Sequence, residues 1–403
     1  MRRAREAPRA AAESRLLRHL RNSRLPGTQC RLRNGAAARD TPQRKKPRLT
    51  FVRHTRGVRV VVLIAALFGC GRVGFERLGA GGDDDDASCT PFELNLPMPG
   101  SAPRPSLVWT GSEYLVTVLS DASTAGILPV SSSGDVGQVT PYGASLLDSQ
   151  SIAWTGSRVA VTWTQGTSQW FAFYDPATRA LGSPQQLATS NKQNARVIWT
   201  GDRLLFASFD TTGGVTYWEN TADGASILGG TITYGNLSTF LHWIAATPTG
   251  YVFALDSPTG LLFQPFTGTL VSAIPAVGPF GGILLATPSN NAIAVEWSYG
   301  SQVQFFDFGG NALGPAGALP FGTGISTITA APNGYRLTGY PNTVTTTVMT
   351  MVVDAQLQVV ESPSSLTSFT ATMGGWPSAI ETSERIGFAT SFDTTVLLVQ
   401  RCK

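Results

Sequence analysis

Charge is scarce in this chain: only 14% of its 403 residues are Asp, Glu, Lys or Arg, against roughly one quarter in an ordinary soluble protein. With 42% apolar residues, 43 Gly and 25 Pro beside it, that scarcity excludes a mostly disordered chain and a stack of long helices. From residue 60 onward there is one histidine, His242, and there are two lysines, Lys192 and Lys403. No Gly-x-Ser-x-Gly nucleophile turn, no phosphate-cradling Gly-Lys-Ser/Thr loop and no Cys/His cluster of metal-ligand spacing occurs, so the commonest sequence-readable chemistries are missing. His242 sits between Leu241 and Trp243, the setting of a packing residue rather than a ligand. Neither a metal nor a cofactor is expected. Cysteine is limited to Cys30, Cys70, Cys89 and Cys402.

The formal charge of +4 and the pI near 9.0 describe two unlike pieces. Residues 1–59 hold 18 Arg or Lys against three acids, Glu6, Glu13 and Asp40, while residues 60–403 hold 12 basic against 23 acidic residues. The basicity belongs to the leader. The acidic body argues against a nucleic-acid partner.

What the body does contain is a repeat. Trp109-Thr110-Gly111-Ser112, Trp154-Thr155-Gly156-Ser157 and Trp199-Thr200-Gly201-Asp202 follow one another at steps of 45 and 45 residues. Each copy lies between a short apolar run and a β-rich one, so the phrase reads as a tight strand-turn-strand joint in which Gly takes a conformation that a Cβ opposes. Fainter copies follow at Ala246–Tyr251, Ala286–Asn291, Ala331–Tyr335 and Glu381–Arg385. A second mark, an Asp-initiated turn between strands, recurs at Asp175, Asp307 and more weakly Asp354. Each unit thus holds about four strands of five or six residues, the sequence mark of a propeller blade. The 315 residues from Cys89 to Lys403 accommodate seven units of 45. The expectation is an all-β, seven-bladed β-propeller of four-stranded blades. Trp109, Trp154 and Trp199 recur at one repeat position, which favours packing between blades. Trp163, Trp170, Trp218, Trp243, Trp297 and Trp376 are less periodic and leave room for ligand stacking.

The ends of the body fit together. Candidate strands near residues 377–380, 385–391 and 395–400 make three, and Phe92–Leu96 lies ahead of the first full repeat. An N-terminal strand that completes the last blade pairs the open edge and latches the ring.

Ahead of the body, Val60–Phe68 is an unbroken apolar run preceded by Arg53, Arg56 and Arg59. As a helix it spans about 14 Å, half of a bilayer core, which is too short to cross but right for a secretory signal. Leu67-Phe68-Gly69-Cys70 resembles the lipobox of bacterial lipoproteins, and the body resembles a Trp-Thr-Gly-repeat β-propeller of the kind met in bacterial envelope lipoproteins. The resemblance implies cleavage before Cys70, lipidation of that residue and a membrane held through the lipid. Gly71 stands where an Asp resembles an inner-membrane retention signal, which points to the outer membrane. Residues 52–69 are then the signal peptide. Residues 70–88, with their glycines and Asp83 to Asp86, read as a solvated tether. Residues 1–51 are Arg- and Ala-rich and expected to be disordered. A translated region upstream of the true start, a transit peptide and a basic arm remain open for them. His19, His54 and Cys30 have no assigned role.

Export places Cys89 and Cys402 in an oxidising compartment, and with Cys70 lipidated and Cys30 removed they are the thiols left to pair. The strand order of the ends brings them into one blade, so they are expected to form a disulfide.

Two functions compete. The first is a non-catalytic, lipid-anchored envelope protein, monomeric, whose propeller face binds a protein or glycan partner. The alternative is a glycan hydrolase or lyase with its site at the central channel, where carboxylates from different blades meet in space. An outer-membrane assembly role resembles the first in plan only.

Overall fold

The computed structural model describes residues 89–97 and 105–403 apart from connecting segments, the longer of which are 145–148, 234–239, 267–273, 276–285, 298–301, 319–324, 340–346 and 369–376. The described elements are strands and turns. One stretch shows the plan: Gln150–Trp154 leads by a tight turn to Val159–Gln165, by a hairpin to Ser168–Asp175 and by a second turn to the edge of the sheet at Gln185–Ala188, neighbouring strands pairing antiparallel. Central strands such as Val159–Gln165 are buried on both faces, because a neighbouring sheet covers each face. The first three residues of that strand, Val159, Ala160 and Val161, are accordingly all apolar rather than alternating with polar ones. The outer strand Ser226–Thr233 is mostly exposed.

The expectation of a seven-bladed ring is overturned: among the described residues six blades are each made from one continuous stretch, beginning at Leu107–Trp109, Gln150–Trp154, Lys192–Trp199, Phe240–Thr247, Ala286–Ser289 and Ile325–Ala331. One of these six has five strands, since Ala180–Leu181 pairs with Tyr174 and Asp175 before Gln185–Ala188 takes the edge. Both short segments share one neighbour because Gln185–Ala188 pairs further along it, with Phe171, Trp170 and Gln169, with a bulge between Gln186 and Ala188. The remaining sheet is a composite of the two chain ends. In it Phe92–Pro97 lies outside Thr395–Cys402, Arg385–Phe392 and Ser378–Glu381, and Phe92 pairs with Gln400 and Pro97 with Thr395.

The leading strands of the six blades touch in sequence order, the last of them touches Ser378–Glu381, and Ser378–Glu381 touches Leu107–Trp109. The sheets therefore close around an axis. Innermost strands have backbone groups that no strand of their own sheet pairs, and serines from the adjacent sheet take several of them. Ser378 Oγ accepts from Leu107 N at 3.2 Å, Ser106 Oγ from Ile152 N at 3.2 Å, Ser151 Oγ from Val197 N at 3.2 Å and Ser149 Oγ from Ala195 N at 2.6 Å. These clasps satisfy backbone donors that burial otherwise leaves costly.

The apolar core lies between sheets. Tyr114, Leu115 and Val116 of the first blade pack with Ile152 and Val161 of the next and with Ala389, Val396 and Leu398 of the composite sheet. Phe171 meets Phe206, with ring centroids 4.8 Å apart, and Phe305 meets Tyr335 at 4.1 Å.

Candidate functional site

In this antiparallel plan the first turn of each sheet and the turn before its outer strand lie on one face, and the middle hairpins lie on the other. The first turns explain the repeated phrase. Thr110 N donates to Glu113 O at 3.0 Å, and Glu113 N donates back to Thr110 Oγ1 at 3.3 Å. Thr155 with Arg158, Thr200 with Arg203 and Thr382 with Arg385 repeat the pair of bonds. Gly111, Gly156 and Gly201 have φ of +106°, +95° and +100°, a region that glycine enters without a steric cost. The tryptophan before each turn is half-buried between sheets. Trp109 packs on Tyr114 at 4.7 Å and carries the Arg385 guanidinium of the composite sheet over its ring at 4.3 Å. Trp154 and Trp199 pack against neighbouring clusters.

The turns before the outer strands are built by a side chain that accepts from amides further on. Asp307 Oδ1 accepts from Gly309 N at 2.9 Å and Asn311 N at 2.8 Å, and Asp354 Oδ1 accepts from Gln356 N at 2.9 Å and Gln358 N at 2.8 Å. Asp175 Oδ1 accepts from Ala177 N at 2.9 Å. Two members escape the sequence pattern because a hydroxyl replaces the carboxylate: Ser131 accepts from Asp135 N at 2.9 Å and Thr221 from Ala225 N at 3.0 Å. In those turns the acid comes later. Hydrogen bonds from Ser133 and Ser131 hold Asp135 below the usual carboxylate range, as does that from Thr221 for Asp223.

The same face carries an ionic seam between and within sheets. Arg179 Nη1 meets Glu113 Oε1 at 2.6 Å across two blades, and Arg203 Nη1 meets Glu219 Oε2 at 2.9 Å. Glu219 also accepts from the Tyr251 hydroxyl of the next blade. Glu381, 1% exposed, takes Arg336 Nε at 3.0 Å and Thr329 Oγ1 at 3.1 Å on one oxygen, with Lys403 Nζ 2.8 Å from the other. Arg336 Nη2 reaches Glu361 at 2.8 Å. Beside this group lies a cleft of about 440 Å³ lined by Arg336, Thr350, Glu361, Ser365, Arg401 and Lys403. A second, of about 390 Å³, lies at Arg158, Phe173, Asp175 and Leu181. In the first cleft Arg336 and Lys403 are matched to Glu361 and Glu381; in the second Arg158 lies over the Phe173 ring at 4.3 Å.

The closure of the ring also sits on this face. Cys89 and Cys402 form a disulfide with Cα atoms 5.6 Å apart. Beside it the buried Gln400 donates from Nε2 to Thr90 O at 2.6 Å and to Ser132 O at 2.8 Å, and accepts from Arg385 Nη1 at 3.3 Å. One side chain thus ties the N-terminal strand, the composite sheet and the first blade's outer turn together. A Cβ on Gly134 in that turn lies 3.2 Å from the Phe92 ring, so close approach fixes glycine there too.

His242 lies in the strand Phe240–Thr247 at a register shift between Leu241 and Trp243; its side chain and those of Trp243, Trp297 and Trp376 fall outside the described residues. Trp163 is buried, with its ring 5.1 Å from Tyr142, while Trp170 and Trp218 are partly buried against blade cores. Among the described residues no group of three His, Cys, Asp or Glu is placed to hold a metal ion. Cys70 and the leader, signal and tether segments at 1–51, 52–69 and 70–88 also lie outside the described residues.

Four-stranded sheets arranged around an axis and closed by the chain's own ends define a β-propeller. Solved structures agree: the structure of U3-55K matches with a TM-score of 0.56 at 12% identity, covering 77% of this chain and 98% of that one. The RRP9 WD40 repeats match with a TM-score of 0.56 at 12% identity, covering 77% and 97%. Virginiamycin B lyase from Staphylococcus aureus matches with a TM-score of 0.53 at 13% identity, covering 77% and 100%. At such identities the likeness is one of fold. No protein-family model and no curated protein matches the sequence.

Proposed function

We propose that this chain is a lipid-anchored protein of a bacterial cell envelope, held at the outer membrane through Cys70, whose propeller binds a protein or glycan partner without catalysis. Residues 1–51 precede the working start, 52–69 act as the signal peptide, 70–88 are the tether, and the Trp-Thr-Gly propeller is the cargo. The observation that carries the reading is the Cys89–Cys402 disulfide. A bond of this kind forms and persists in exported proteins, and it stands downstream of the Leu67-Phe68-Gly69-Cys70 box. The committed carboxylates support the non-catalytic part, since Glu113, Glu219 and Glu381 are each matched to an arginine and Asp135, Asp175, Asp307 and Asp354 build turns. The β-propeller is commonly a scaffold for interactions, and its WD40 neighbours share that architecture.

The test is intact-protein and peptide mass spectrometry of the chain expressed in a bacterial host, with fractionation of its membranes. The expected result is an N-terminal, acylated Cys70 in the outer-membrane fraction and a Cys70→Ala variant released from it. An unmodified Cys70, or a variant that still sediments with membranes, overturns the anchor. Cross-linking in solubilised membranes then identifies the partner, and turnover of a glycan by the purified chain overturns the non-catalytic assignment.

A further inference from the structure

The large apolar side chains described as exposed are Val136, Ile227, Leu228, Leu313, Val359 and Val360, between 39% and 50% accessible. All six lie within three residues after the turns that precede the outer strands: Val136 after Ser131–Asp135, Ile227 and Leu228 after Thr221–Ala225, Leu313 after Asp307–Asn311, and Val359 and Val360 after Asp354–Gln358. Single exposed hydrophobics are ordinary, but scattered ones do not select one repeat position in four blades. They form a rim on one face of the ring. Cys89 is pinned to that same face by its bond to Cys402, whose strand ends beside the Thr382–Arg385 turn. The chain between Cys70 and Cys89 therefore leaves from the face that carries the rim. At about 3.5 Å per residue its 19 steps reach no further than about 65 Å, so an anchor at Cys70 holds the domain at the bilayer with the tether rooted on this face.

Charge selects the lipid. Arg179, Arg203 and Arg336 of this face are matched to Glu113, Glu219 and Glu381 and Arg158 is laid over the Phe173 ring at 4.3 Å, whereas the carboxylates of Asp135, Asp307 and Asp354 bond within their own turns and remain to repel an anionic surface. We propose, resting on the lipid-anchor reading above, that the rim seats in the headgroup boundary of a zwitterionic bilayer, so that the propeller stands on its turn-bearing face and presents the opposite face, with the middle hairpins, to its partner.

Hydrogen exchange of the full, processed chain on phosphatidylcholine vesicles tests this. The expected result is exchange slowed about threefold or more at residues 131–136, 221–228 and 354–360 and unchanged at the opposite hairpin Gln165–Ser168, a contrast that local protection reports directly. The contrast should vanish in the V136S/I227S/L313S/V359S variant and weaken when anionic lipid is mixed in. Equal exchange on both faces, slowing at Gln165–Ser168, slowing that persists in the quadruple variant, or stronger protection on anionic lipid overturns the proposal. Slowing that needs no vesicles and grows with protein concentration overturns it in favour of a second copy as occupant. If mass spectrometry finds Cys70 unmodified, the anchor reading fails separately. The same thiol is then coupled to a dialkyl maleimide and the exchange experiment is run unchanged, with the same outcomes deciding the rim.

Discussion

Replacing both members of the Cys89–Cys402 pair by serine removes a cross-link that spans 313 residues. The chain-entropy argument assigns a loop of that length about 5 kcal/mol at 25 °C, less whatever structure the unfolded chain retains. With a urea slope of about 3 kcal/mol/M for a domain of this size, the unfolding midpoint should fall by roughly 1.5 M. A second effect is local. Phe92–Pro97 pairs with one strand only, and within it Leu96 is buried while Glu93, Asn95 and Pro97 are exposed, so without the covalent bond the strand can leave while the other sheets stay folded. Amide exchange of residues 92–97 should then quicken by about tenfold or more, ahead of global opening. Gln400→Leu with the disulfide intact is the control: it strips the bonds to Thr90 and Ser132 and should cost about 1–3 kcal/mol without releasing the strand. The assay is urea denaturation followed by far-UV circular dichroism, with exchange measured by mass spectrometry. An unchanged midpoint together with unchanged protection at 92–97 would show that strand pairing alone closes the ring and refute the reasoning.

Glu381→Gln leaves Arg336, 6% exposed, without its inner carboxylate; breaking one side of a buried pair should cost about 3–5 kcal/mol, read as a fall in urea midpoint, and no fall would mean that Glu361 suffices. Gly201→Ala meets nothing within 4 Å but has φ +100°, whereas Gly224→Ala, at φ +93°, also brings a Cβ to 2.7 Å from Phe173. The first should lose about 1–2 kcal/mol from backbone strain alone and the second more, so equal losses in thermal melts would show that the close approach of Phe173 to Gly224 costs nothing. Hydrogen bonds from Ser133, Thr178 and Thr221 lower the pKa values of Asp135, Asp175 and Asp223 in the folded chain. Their stabilisation is therefore present above the unfolded value near 3.9 and is lost as pH falls through the lower folded values; the melting temperature should drop between pH 5 and pH 2.5, and the D135N/D175N/D223N variant should show a smaller drop.

The features legible in the sequence were those fixed by neighbours along the chain. Trp109-Thr110-Gly111 and its copies mark the first turns because a threonine hydroxyl and a positive-φ glycine close each turn within four residues. Phe92–Leu96 reads as a strand without a local partner, and counting strands at the far end locates one. The correction to the blade count arose because dividing the length by a uniform 45 residues treats the chain ends as one more continuous unit, whereas Phe92–Pro97 and the strands within 378–402 make a composite sheet. Ser131 and Thr221 were missed because a hydroxyl does the work of Asp175 and Asp307 there. The ionic seam was illegible for another reason: Arg179 and Glu113 are 66 residues apart, and only closure of the sheets brings such pairs together. The serine clasps between inner strands carry no signal beyond spacing, since serine is common and its bond is to backbone.

The composite sheet also sets an order of events. Phe92–Pro97 is made early, yet the strand it pairs with, Thr395–Cys402, is synthesised some 300 residues later, so the early strand waits unpaired while the six uninterrupted blades assemble from local hairpins. Local contacts form fast and this distant one slowly. Oxidation of Cys89 must then come last, and a thiol that reacts early with another partner would trap a ring with its gap still open.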